Sequence, residues 1–252
     1  MAHQVQGTAF ITGGASGIGE ATAHVLAKNG ISALALLDVN PVLLEETKKQ
    51  LLAEYAQLRV AAFQVDVRDE AAVEDAVRKT AEEFGQIDIG VNAAGISGKA
   101  GPSHDTDLSD WQRVIDINQT GLWICQRALI RQMLKQESRG ARDGRGTIVN
   151  IASMYGVRAP SGDIAIAPYV AAKHAVVGND QDDLWIRLIR RSIESGALDS
   201  QVAMIPLGRR AVADEIANAI LFLASPMSSY MCGEAMVVDG GLTALSLHRQ
   251  LS

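Results

Sequence analysis

"TGGASGIG", residues 12–19, is the stretch that decides how this chain folds. It follows an apolar run, "GTAFITG" (7–13), and leads into a stretch of helical spacing, 17–29. Gly13, Gly17 and Gly19 let the backbone turn sharply and approach a ligand closely. The helix that opens here directs unpaired N–H groups and a partial positive charge outward, which suits a pyrophosphate. Ser16 and Ile18 belong to the same turn and are counted with the glycines as cofactor contacts. Read alone, the motif is also compatible with a glycine-rich turn that holds no ligand.

Working outward, a second apolar run, "ALALLD" (33–38), ends in Asp38, nineteen positions after Gly19. A carboxylate there can accept hydrogen bonds from the hydroxyls of an adenosine ribose and repels a 2′-phosphate, so it favours NAD over NADP. The alternative for Asp38 is a helix cap at the strand-to-helix turn. No arginine follows it; the next residues are Val39, Asn40 and Pro41. Further apolar runs lie at 59–66, 88–95 and 146–153, and helical spacing at 41–56, 69–84 and 108–136. Near-continuous apolar strands alternating with helices predict an α/β fold, a Rossmann-type doubly wound parallel sheet covered on both faces. Strand ends line the ligand crevice of such a sheet. Asp66 and Val67 at the third, and Asn92, Ala93 and Gly95 at the fourth, therefore join the candidate NAD contacts.

Composition narrows the function. The chain has 252 residues, 48% of them apolar, and a net charge of −6 with no basic block. This fits one catalytic domain over 1–252 and argues against a nucleic-acid partner. No signal peptide and no run of membrane-spanning length is visible, so a cytoplasmic protein is expected. Cys125 and Cys232 lie far apart and near no histidine cluster, which predicts buried thiols and no metal site.

"YVAAK" (169–173) puts Tyr169 and Lys173 on one helical face. A free phenol titrates at about 10, and a nearby cation is the simplest way to make one act as a base at neutral pH. Ser153, closing the fifth strand, can polarise a substrate oxygen, and Asn118 interrupts a long helix where asparagine is a mediocre helix former. Taken singly, Ser153 reads as a loop cap and Asn118 as a tolerated polar residue.

Together, "TGGASGIG", Asp38, "DV" at 66–67, "NAAG" at 92–95, Asn118, Ser153, "YVAAK" and "VVDGG" at 237–241 resemble the short-chain dehydrogenase/reductase family. The resemblance covers roughly 5–178 and 204–243. It implies an NAD(H)-dependent oxidoreductase acting on a secondary alcohol or ketone, assembled as a homo-oligomer, dimer or tetramer. It also implies a catalytic set of Asn118, Ser153, Tyr169 and Lys173, with Tyr169 and Lys173 touching the cofactor and Asn118 holding a relay water. Tyr155 also follows the fifth strand, but Arg158 stands three residues beyond it in a Gly- and Pro-containing loop, so it is set aside. Met154, Tyr155, Val157, Ile164, Trp185 and Leu188 are candidates for an apolar substrate pocket or for plain packing.

The chain departs from that family after "KHAVVG" (173–178). Residues 179–200 are expected to form an atypical lid. Asp182 or Asp183 suits a helix N-cap, apolar residues at 184, 185, 188, 189 and 193 follow helical spacing, and Gly196 suits a stop. This predicts a helix over about 183–195, a sheet lacking the usual sixth strand, a catalytic helix ending near Gly178 and a weakened oligomer. A remodelled variant, a splicing or editing product, and an NAD-binding pseudoenzyme or scaffold with impaired catalysis are all open on that basis.

Overall fold

Strand β1 (Thr8–Thr12) forms on a short apolar run between two threonines, and all five residues are buried. The computed structural model describes residues 5–140, 144–158, 166–178, 186–191 (backbone only) and 205–243. From β1 the chain turns at Gly13, whose φ of +66° is costly for any residue with a side chain, into helix α1 (Gly17–Lys28). The step repeats: β2 (Ala33–Asp38) leads to α2 (Pro41–Glu54), and β3 (Arg59–Gln64) to α3 (Glu70–Phe84). β4 (Ile89–Asn92) is followed by α4 (Leu108–Ile115), a π-helical segment (Asp116–Gly121) and α5 (Leu122–Met133). β5 (Thr147–Ile151) precedes α6 (Ala167–Gly178). Strand β6 (Ile186–Arg191), helix α7 (Ala213–Ala224) and strand β7 (Ala235–Val238) complete the described elements. Local chemistry sets several helix starts. Asn40 Oδ1 accepts from the Val42 and Leu43 amides with Pro41 in the first position, and Asp69 accepts from the Ala72 amide.

All pairings are parallel, in the order β3-β2-β1-β4-β5-β6-β7. Side chains alternate between two apolar layers. Ala9, Ile11, Leu34 and Leu36 meet Leu26 of α1, Leu51 of α2 and Ile220 of α7. Phe10, Ala35 and Leu37 meet Val73 and Val77 of α3 and Leu129 and Met133 of α5. Each large aliphatic buried this way contributes about 1.5–3 kcal/mol, which is why the alternation fixes the register. Among the described residues no helix is long and apolar enough to cross a membrane.

The expectation of a helix over 183–195 and of a sheet without a sixth strand is overturned. β6 lies between β5 and β7, with Ile148 opposite Ile186 and Ile151 opposite Ile189 on one side, and Leu188 opposite Ala235 and Arg191 opposite Val238 on the other. Among the described residues the sheet has seven strands. "IRLIRR" carries β-branched residues and is short enough to fit either period, so its own pattern does not decide. The sheet decides it. Without β6 the facing edges of β5 and β7 would leave buried N–H and C=O groups unpaired, at about 1–3 kcal/mol each. The rest of the expected lid, including the candidate caps Asp182, Asp183 and Gly196, lies outside the described residues. The catalytic-helix candidate α6 is described as far as Gly178, and the residues that follow it up to β6 lie outside the described residues.

Candidate active site

Strand order reverses between β1 and β4, and a doubly wound sheet opens its ligand crevice at such a point. The loops leaving these strands are locked together. Thr12 Oγ1 accepts from the Ala93 and Ala94 amides at 3.1 and 3.2 Å, and a Cβ on Gly13 would stand 2.9 Å from the Ala94 nitrogen. Gly19 packs directly on the Gly13 carbonyl, where a Cβ would overlap it. Gly17 is different: its φ is +55°, yet a Cβ there would meet nothing within 4 Å. The turn therefore combines a tight interior with an open outer face. Ser16 is the N-cap of α1 but makes no side-chain cap bond, so the first amides of the helix stay available to an anion. Ile18 is 5% exposed and belongs to the core, so only its backbone can serve the crevice.

Asp38 sits half-buried at the end of β2. Its Oδ2 accepts from the Ala15 amide at 3.3 Å and its Oδ1 from the Asn40 amide at 3.0 Å. Asn40, not Asp38, caps α2, which removes the capping alternative. The carboxylate thus borders the glycine turn and keeps acceptor capacity on both oxygens. Asp66 is less available. Arg68 donates to it from its amide and Nε at 3.0 Å and from Nη2 at 2.5 Å, and this pair holds the carboxyl below the usual carboxylate range. Val67 is buried against Gly121, where a Cβ would stand 2.7 Å from Val67 Cγ2. Asn92 is 2% exposed and turned into the sheet, where its Nδ2 donates to Asn150 Oδ1 at 2.8 Å. Its side chain is therefore turned into the sheet, and Ala93 and Gly95, just beyond the end of β4, are left as the candidates that border the crevice.

The four candidate catalytic residues come from three elements. Asn118, in the π-helical segment, is fully buried. Its Nδ2 donates to the Ile96 and Val114 carbonyls at 2.8 and 3.0 Å, and its Oδ1 accepts from the Ile96 amide at 3.0 Å. π-helical turns occur preferentially at functional sites, and here the turn carries a side chain that clamps the loop after β4. Ser153, 3% exposed, accepts from the Tyr155 amide at 3.2 Å and so starts a 3-10 turn, Met154–Gly156. Gly156 lets that turn lie on α6, since a Cβ there would stand 2.6 Å from the Lys173 carbonyl oxygen. On α6, Tyr169 is half-buried and Lys173 is 4% exposed. Lys173 Nζ donates to the Ile151 carbonyl at 2.6 Å and lies 5.7 Å from the centre of the Tyr169 ring. Gly95 joins the pieces: a Cβ on it would lie 2.5 Å from Asn118 Oδ1 and 3.8 Å from Lys173 Nζ. A buried ammonium beside a phenol, at the mouth of a dinucleotide-type turn, suits proton transfer to or from a bound oxygen.

Tyr155, set aside from the sequence, is buried in an apolar cluster with Met154, Ile205 and Leu242, against Ile166, Tyr169 and Val170. Val157 is 39% exposed. Ile164 and Trp185 lie outside the described residues, and Leu188 is described only as part of β6. Sequence reasoning missed Thr12, Arg68, Ile205 and Leu242. Arg68 had a readable signal, its position two residues after Asp66; Ile205 and Leu242 had none, because only the fold brings them to Tyr155. Burial pushes the Cys125 thiol up to about 12, so it stays protonated and inert, while Cys232 is exposed, against the expectation of two buried thiols. Among the described residues no cluster of His, Cys, Asp and Glu could hold a metal ion.

The chain is similar to known proteins over most of its length. The family model described as short chain dehydrogenase matches residues 7–181, and one described as enoyl-(acyl carrier protein) reductase matches 188–243. The chain is 35% identical to the short-chain dehydrogenase fogB of Aspergillus ruber, over 96% of this chain and 99% of that protein. It is 33% identical to the cis-4-hydroxycyclohexanecarboxylate dehydrogenase of Sinomonas cyclohexanicum, over 94% and 96%. The crystal structure of carveol dehydrogenase from Mycobacterium avium in complex with NAD aligns with a TM-score of 0.83 at 28% identity, covering 94% of this chain and 98% of that one.

Proposed function

The chain belongs to the short-chain dehydrogenase/reductase family and is an oxidoreductase, and from that premise we propose that it interconverts a secondary alcohol and its ketone with NAD(H). The observation that carries the reading is the buried Lys173 ammonium beside Tyr169, next to Gly95 and Asn118, at the switch point of the sheet. The residues present fit the cofactor. Gly17 offers an open backbone face, Ser16 leaves the first α1 amides uncapped, and Asp38 stands beside that turn with spare acceptor capacity. Ser16, Gly17 and Ile18 would hold the pyrophosphate and Asp38 the adenosine ribose, which favours NAD over NADP. An NAD-bound relative, carveol dehydrogenase, supports that choice. Bound there, the cofactor would supply the hydride donor or acceptor.

The chain's own residues would manage the proton. Tyr169 takes it from the alcohol oxygen or returns it to the ketone oxygen. Lys173 stabilises the phenolate that accepts the alcohol proton, and that remains when the proton is given to the ketone oxygen, and Ser153 orients the substrate oxygen. Asn118 fixes the loop beside Lys173. The apolar cluster of Met154, Tyr155, Ile205 and Leu242 beside Tyr169 would favour a substrate with an apolar ring, and the hydroxycyclohexanecarboxylate named for the relative carries such a ring. We place the enzyme in the cytoplasm as a homo-oligomer, a single catalytic domain over 1–252. The alternative, an NAD-binding protein or scaffold without turnover, was motivated by the altered segment 179–200; of that segment only β6 is described, and its pairing answers the missing-strand part of the motive.

The test is initial-rate measurement with NADH and with NADPH over a panel of cyclic and acyclic ketones, beside calorimetric NADH binding. Turnover on a cyclic ketone with NADH is expected. NADH binding without turnover on any ketone would move the chain to the binding-protein class.

A further inference from the structure

Asp110 is an aspartate in α4 that the proposed chemistry leaves without a role. It is 6% exposed, and a carboxylate so buried needs partners. As the third residue of α4 it could accept from its own helix's open amides, which is the ordinary use of an acid there. Instead its Oδ2 accepts from the Lys99 amide at 3.0 Å, eleven residues back in the loop after β4, while Arg113 Nη2 meets Oδ1 at 2.9 Å. The same loop is held at its near end by Asn118, which takes both the amide and the carbonyl of Ile96. Between the two anchors Gly98, at φ +73°, lies so close to α4 that a Cβ would stand 2.5 Å from Val114 Cγ2 and 3.3 Å from Asp110 Oδ2. The loop is thus held at three points, two on α4 and one on the π-helical turn that follows it, and it walls the crevice where Gly95 borders Lys173. The dinucleotide turn and Asp38 sit on the other side of the switch point, at the ends of β1 and β2.

We infer that Asp110 is a positioning residue that fixes the substrate-side wall of the crevice by anchoring Lys99, and so governs substrate binding without governing NADH binding. The inference rests on the proposed hydride-transfer reading for its kinetic part only. The experiment compares Asp110→Ala, which loses the anchor, with Asp110→Asn, whose amide oxygen still accepts from the Lys99 amide. Three readouts are taken: KM and kcat for a reduced ketone, the calorimetric Kd for NADH, and the rate of tryptic cleavage after the exposed Lys99. For Asp110→Ala, KM should rise by about fivefold or more with kcat and NADH Kd within about twofold, and cleavage after Lys99 should quicken by about fivefold or more. Asp110→Asn should return each value to within about twofold of the parent. Unchanged KM in Asp110→Ala overturns the positioning role even if cleavage quickens, and so does an Asp110→Asn as impaired as Asp110→Ala. A loss of NADH affinity equal to the rise in KM overturns it as well. The cleavage readout needs no turnover, so a parent that reduces no ketone defeats the hydride-transfer reading while unchanged cleavage defeats the anchor separately.

Discussion

Gly95→Ala is the smallest change that should disable the site, and its size follows from contacts. Gly95 does not adopt a positive φ, so alanine meets no backbone strain there. Its Cβ would, however, stand 2.5 Å from Asn118 Oδ1, where a carbon–oxygen pair needs about 3.5 Å. Asn118 cannot swing aside, because its amide is bonded on both ends to Ile96 and to Val114. Pushing Oδ1 back by about 1 Å breaks its bond from the Ile96 amide. The lost bond costs about 0.5–1.5 kcal/mol and an orphaned buried group about 1–3 kcal/mol, or about 2–4 kcal/mol together. For a chain of this size that is a melting-temperature drop of about 5–15 °C. The displaced groups border Lys173, and misplacement by about 1 Å can cost up to about 10²-fold in rate, so kcat/KM should fall by about 10–100-fold. Thermal melts and initial rates would be compared with Gly101→Ala, a control because a Cβ there meets nothing within 4 Å. A Gly95→Ala enzyme that melts and turns over like Gly101→Ala would refute the packing argument.

Tyr169→Phe should abolish turnover while leaving the calorimetric NADH Kd within about twofold, since only the hydroxyl is removed; Tyr155→Phe should reduce kcat far less, and a larger loss from Tyr155→Phe would reverse the assignment. Asp38→Ala should narrow the gap between NADH and NADPH dissociation constants, because like-charge repulsion across a few ångströms is worth about 1–4 kcal/mol at effective dielectrics between water and protein; equal constants in the parent would contradict the ribose role. At the start of α7, Glu215 accepts from Arg209 and from the Val212 amide, which lowers its pKa from 4.5 to about 2. A depressed carboxyl contributes stability above its unfolded pKa and loses it as pH falls towards the folded one, so Glu215→Gln should flatten the decline of melting temperature between about pH 4.5 and 2. An unchanged slope would show the pair to be inconsequential.

Much of this was readable because the decisive residues are fixed by local geometry. The glycines of 12–19 are required wherever backbone packs on backbone, as Gly19 does on Gly13, and four-residue spacing alone puts Tyr169 and Lys173 on one face of α6. Asn118 stood out as a misfit in a helix, yet nothing in its neighbours announced the π-helical turn or the clamp on Ile96. Asn92 was legible as a strand end but not as a side chain turned towards Asn150, because the facing residue comes from β5, far along the chain. The segment 186–191 was misread for a related reason: its spacing admits two periods, and the open edges of β5 and β7 choose between them. Asp110 was invisible because its partner, the Lys99 amide, has no side-chain signature at all.

The central claim, hydride transfer managed by Tyr169, is tested most directly by isotope transfer. The enzyme would be incubated with a cyclic ketone and NADH deuterated at both C4 positions, and the alcohol product read by mass spectrometry. Deuterium should appear on the carbinol carbon with the parent and be absent with a Tyr169→Phe enzyme that still binds NADH. A parent that binds NADH and transfers no label to any ketone, or a Tyr169→Phe enzyme that transfers it at the parent's rate, would contradict the account.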